Sequence, residues 1–131
     1  MTPGAARLIG FDLAGPEAGW PAARHAKLLA RVRAAGLGLT LHAGETDAGA
    51  RVLETARLGA QRIGHGLRLA DLIGDDPASC QVLAEVKGHR IHLEICPTSK
   101  LHNSAAARRA PIDAVKAWRR TELPAPAMRI L

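Results

Sequence analysis

The stretch LTLHAGE, residues 39–45, closes an apolar run with a histidine and, three residues later, a carboxylate. It belongs to LGLTLHA (37–43), which is too short for a helix and lies between Gly36 and Gly44, a pattern that predicts a buried strand. Three more runs have the same character: RLIGFDLA (7–14), RIGHG (62–66) and RIHLEIC (90–96). Helical patterns lie between them. Leu28, Leu29, Val32 and Ala35 share a face, with Pro21 suited to an early helical position and Gly36 to the left-handed residue beyond the end. Val52, Leu53 and Ala56 form a second face, with Asp47 as cap and Gly59 as stop. Val82, Leu83 and Val86 form a third, behind Asp76 and Pro77 and closed by Gly88. A weaker fourth pattern, Ile112, Val115 and Trp118 after Pro111, runs into ELPAPAMRIL, which has no clear period.

Strand and helix therefore alternate in about four consecutive βα units. Parallel neighbours need a long crossover and a helix supplies it, so the fold class is α/β with a parallel sheet. Periodicity alone leaves open a small doubly wound sheet or half of an eight-stranded barrel. Polar clusters add a preference. DLAGPE, HAGE, GHG and CPTS each fall at a strand's C-terminal end, the face on which (β/α)8 barrels place their chemistry, so a partial barrel is expected.

Composition narrows the function. The chain has 131 residues, 47% hydrophobic, with two tryptophans, one phenylalanine and no tyrosine, so one domain with an aliphatic core is expected. No apolar run approaches the roughly 18 residues of a membrane span, and MTPGAARLIG lacks the features of a signal peptide, which predicts a cytoplasmic protein without a membrane partner. Cys80 and Cys96 form no CxxC pair and are expected to pack as reduced thiols. The net charge is +6, but residues 98–131 hold seven of the 18 basic and only two of the 12 acidic side chains. The body is nearly neutral, so the basicity reads as a solvated tail, and no nucleic-acid partner is expected.

The polar clusters admit two readings each. Imidazole suits zinc, and a nearby carboxylate can donate or accept protons, so His42 and Glu45 could form a hydrolytic site; they could equally be a hydrogen-bonded strand end and a solvated acid near a helix start. His65, between two glycines, is either a site histidine or part of a tight turn. DLAGPE offers the backbone N–H of Gly15, with Asp12 and Glu17, or only a plain turn. His25, His89, His92 and His102 read as structural, and Asp75 and Asp76 as helix-capping acids.

Together GFDLAGPEAGWP, TLHAGE, RIGHGLRL and LEICPTS, in this order, resemble the central part of the adenosine deaminase family over about residues 8–99. The resemblance implies a zinc-dependent barrel enzyme that converts adenosine to inosine and ammonia. It implies that His42 is a zinc ligand, Glu45 the acid that protonates purine N1, His65 the histidine that orients or deprotonates the attacking water, and Gly15 the N–H that contacts the purine. The smaller zinc deaminases pair H-x-E with P-C-x-x-C; His92 and Glu94 spell the first, but no P-C-x-x-C occurs in this chain.

The pattern also departs from the family. No H-x-H pair occurs, and after Cys96 the only acids are Asp113 and Glu122, so one matching zinc ligand remains where catalytic sites use three or more. At 131 residues the chain is about half of a roughly 250-residue barrel. These departures predict a truncated or disrupted gene product, inactive alone, with a barrel portion over residues 1–99 and a divergent basic tail over 100–131 that is expected to be partly disordered. Such a piece would expose strand edges and apolar helix faces. The alternatives are another purine deaminase, acting on adenine or a nucleotide, and a non-catalytic purine-binding or assembly module.

Overall fold

LTLHA forms the strand that its pattern predicts, and the other strands line up beside it in chain order. The computed structural model describes residues 8–74, 76–96 and 128–130. The elements are β1 (Gly10–Leu13), α1 (Ala26–Ala34), β2 (Gly38–Ala43), α2 (Ala50–Arg57), β3 (Arg62–His65), α3 (Pro77–His89), β4 (His92–Ile95) and β5 (Met128–Ile130), with 3-10 turns at Ala22–His25 and Leu67–Leu72. Each described pairing is parallel and the spatial order is β1-β2-β3-β4-β5. A doubly wound sheet reverses its order at a switch point, whereas a (β/α)8 barrel adds each strand beside the last. The unbroken order therefore selects the barrel alternative, and the sheet is an arc of one.

Register divides the arc into two faces. Asp12 lies opposite Thr40, Thr40 opposite Arg62, His42 opposite Gly64, Arg62 opposite His92 and Gly64 opposite Glu94. Side chains alternate across a strand, so these residues share one polar face, where Arg62 and Glu94 form an ion pair. The opposite face carries Leu39, Leu41, Ile63, Leu93 and Ile95, none more than 1% exposed. These pack in one cluster with Leu29 of α1, Val52 and Ala56 of α2, and Val86 of α3. Helices thus cover one side of the sheet, and the polar side is left for the site. Among the described residues β1 is an edge, with Leu8 and Ile9 exposed just before it.

Several local expectations need correction. Gly36 and Gly59 do end α1 and α2 in left-handed conformations, and Asp76 does cap α3, accepting from the N–H groups of Ala78 and Ser79. Gly88, however, lies inside α3, and Arg90 takes the left-handed position at its end. Asp47 does not cap α2, whose N-cap is Gly49; its carboxylate accepts from Ala48 N–H and pairs with Arg51. Pro21 precedes a 3-10 turn rather than α1 itself. The fourth helical pattern, Ile112 to Trp118, and Asp75 and His102 lie outside the described residues. The tail supplies β5, a strand too short for its period to show.

The cysteines differ from each other. Cys80 is exposed and is not a packing residue, whereas Cys96 is partly buried. Burial, followed by the charge of Glu94, pushes the Cys96 thiol pKa up. The thiolate is the nucleophile, so iodoacetamide is expected to alkylate Cys80 well before Cys96 near neutral pH, which peptide mass mapping over time would show.

Candidate active site

His42 is the fifth residue of β2, and alternation puts it on the polar face. Its ring lies over Gly64 of β3. A Cβ at Gly64 would stand 2.8–3.0 Å from the Cδ2, Cγ and Nε2 atoms of His42, so the missing side chain is what makes room for the imidazole. On the other side, Asp12 of β1 brings Oδ1 to 3.6 Å from His42 Nε2.

After Ala43 the chain turns at Gly44 (φ 72°), where a Cβ would lie 2.6 Å from Val52 Cγ2. Gly44 thus gives the strand a sharp exit. It brings Glu45 over the end of β3, with Oε2 3.4 Å from His65 Nε2. His65 itself has φ 70°, uncommon for a residue with a Cβ. Strict alternation would aim it with Ile63 at the helix layer; the left-handed backbone breaks that alternation. The His65 and His42 rings meet edge to face, with centroids 5.1 Å apart and planes at 73°. Asp12, His42, His65 and Glu45 therefore form a chain of near neighbours across three strand ends, from exposed Asp12 to buried His65.

Gly15 lies on the β1 loop. With Leu13, Trp20, His25 and His42 it lines a cavity of about 160 Å³. His25, expected to be structural, thus stands on the cavity wall, in the 3-10 turn ahead of α1. Trp20 also borders the cavity and carries the Arg24 guanidinium 4.4 Å above its ring. The structure brings His42, His65 and Glu45 to one mouth and Gly15 to the cavity beside His42.

Sequence reasoning undervalued Glu17. Its carboxylate accepts from the backbone N–H of Gly44, of Glu45 (3.0 Å), of Thr46 (2.9 Å) and of Asp47 (3.1 Å). Burial alone would raise its pKa, but the amides of Thr46, Asp47, Gly44 and Glu45 together hold it below the ordinary carboxylate value. A depressed folded-state pKa means that the stabilisation is present above the unfolded value and is lost as pH falls through the folded one. The loop amides of residues 44–47 are therefore expected to stay ordered while exposed carboxylates titrate and to loosen only at lower pH, which an amide-resolved NMR titration would show.

Among the described residues no three His, Cys, Asp or Glu side chains converge so as to hold a metal ion. Catalytic zinc uses about three protein ligands, so the donors described around His42 do not by themselves fit one.

The profile of the Adenosine deaminase family matches residues 5–120. The chain belongs to the adenosine deaminase family. It is 39% identical over 120 residues to an adenosine deaminase of Mycobacterium leprae, covering 86% of this chain and 33% of that protein. It is 41% identical over 92 residues to an adenosine deaminase of Enterococcus faecalis, covering 70% of this chain and 25% of that protein. The chain thus spans about a quarter to a third of the length of these relatives. A crystal structure of an adenine deaminase from Arthrobacter aurescens superposes with a TM-score of 0.66 at 23% identity, over 92% of this chain and 34% of the other, a likeness of fold. The metal dependence general in the adenosine deaminase family would need donors beyond those described here.

Proposed function

We propose that this chain carries the proton-transfer and purine-contacting part of an adenosine deaminase site. The observation that supports it is the approach of Glu45 to His65, 3.4 Å, at the same mouth as His42 and next to the cavity lined by Gly15. A protonated Glu45 gives its proton to purine N1, which makes C6 electrophilic, while His65 takes a proton from the water whose oxygen bonds to C6. His65 then passes that proton to the amino group, and the C6–N bond breaks to release ammonia. The hydroxyl proton left on C6 returns to Glu45 as the carbonyl of inosine forms. Gly15 N–H holds the ring in register for these transfers. His42 matches one zinc ligand, and the rest of a zinc site must come from donors outside the described set. Residues 1–99 supply β1 to β4 of the barrel portion, and the basic tail over 100–131 adds β5 beside β4. The substrate, a small soluble nucleoside, and the unpaired cysteines fit a cytoplasmic location; among the described residues no helix is long and apolar enough to cross a membrane.

The purified chain is expected to bind adenosine weakly, with NMR shifts at Gly15 and Glu45, to hold zinc well below one equivalent and to release no inosine. Stoichiometric zinc with inosine release would overturn its inactivity in isolation. Adenosine that leaves both residues unshifted would overturn the site itself.

A further inference from the structure

The loop after β2 is held from two sides by two other loops. Its carbonyls are tied to the β3 loop, where Gly66 N–H donates to Ala43 O (2.8 Å) and Arg68 N–H to Gly44 O (2.9 Å). Its amides point the other way. Four consecutive N–H groups, Gly44 to Asp47, converge on one carboxylate, Oε1 of Glu17 taking the first and Oε2 the other three. A run of backbone N–H groups aimed at one point is an anion-binding concavity, and an ionised carboxylate with about four lone-pair sites is matched to it. Glu17 lies two residues after Gly15, and Glu45 sits among the four amides.

We infer that Glu17 is a positioning residue for Glu45: by clamping the amides of residues 44–47 it fixes the Glu45 carboxylate against His65 and sets its distance from Gly15. This rests on the proposed adenosine site only for its consequence; the clamp itself is a property of the loops. Its chemistry makes the charge essential. Glutamine has nearly the same volume but offers a single acceptor oxygen, and its amide group would present donors to donors. Alanine would leave the concavity open to a small carboxylate from solution.

The test measures amide hydrogen exchange in the whole chain for the parent, Glu17→Gln and Glu17→Ala, with Leu41 and Ile63 as references for the fold. Residues 44–47 are expected to exchange at least tenfold faster in both variants while Leu41 and Ile63 keep their protection. Sodium formate, against sodium chloride at equal ionic strength, should restore protection in Glu17→Ala and not in Glu17→Gln. Adenosine affinity should fall and recover in parallel with protection. Unchanged exchange at 44–47 in the variants overturns the clamp, as does equal loss at Leu41 and Ile63, which would make Glu17 a general staple. Protection that falls and is rescued in a chain whose parent never binds adenosine upholds the clamp and refutes the nucleoside site.

Discussion

Ile63→Ala is expected to remove a large share of the cooperative stability of this chain. Ile63 is fully buried in β3, the middle of the sheet, opposite Leu41 of β2 and Leu93 of β4 by register. Its side chain lies on the face that the helices cover, and both strand neighbours are themselves sealed from solvent. Truncating such a residue costs the transfer energy of the lost methyl and methylene groups plus the cavity left behind, about 2–5 kcal/mol. Small domains hold only about 5–15 kcal/mol in total. With a urea m-value of about 1–3 kcal/mol/M, the midpoint should drop by about 1 M or more, or the transition should vanish. A midpoint within about 0.3 M of the parent would mean that the face shared by Leu41, Ile63 and Leu93 is not the core.

Much of this arrangement was legible in the sequence because it rests on short-range periodicity. The alternation in LGLTLHA and the helical faces around Leu29, Val52 and Val86 give the elements, and the alternation of strand with helix gives parallel pairing. The gathering of His42, Glu45 and His65 was legible too, since polar residues at successive strand ends must share a rim. What escaped was what depends on partners distant in the chain. Nothing near Glu17 announces four amides some 27 to 30 residues later. The left-handed His65 is set by the fold, since RIGH reads locally as plain extended strand. A helix begun at Pro21 would hold His25 within it, whereas the intervening 3-10 turn places it on the cavity. Met128–Ile130 is too short to show a period at all, and becomes a strand only because β4 offers it an edge.

The two glycines of the site should fail in opposite ways. At Gly44 a side chain meets both backbone and core. The left-handed φ of 72° costs a residue with a Cβ about 1–2 kcal/mol, and that Cβ would press on Val52 Cγ2 at 2.6 Å, with Gly66 backbone at 3.4 Å behind it. Val52 is fully buried in α2 and has nowhere to retreat, so overpacking adds about 1–3 kcal/mol. Gly44→Ala is therefore expected to lose about 2–5 kcal/mol in a urea melt. At Gly64 the backbone is ordinary strand, and the nearest obstacle is the His42 ring, whose side chain is 30% exposed and can swing outward. Gly64 is buried, but because the ring can give way Gly64→Ala should cost only about 1 kcal/mol in a urea melt, yet shift the His42 ring resonances. It should also weaken adenosine at least tenfold, because His42 leaves its place between Asp12 and His65. If Gly64→Ala instead unfolded the chain, or left the His42 resonances in place, the imidazole would not be resting on Gly64. The geometry joining β2 to β3 at the mouth would then be wrong, and with it the reason that RIGHG needs glycine before its histidine.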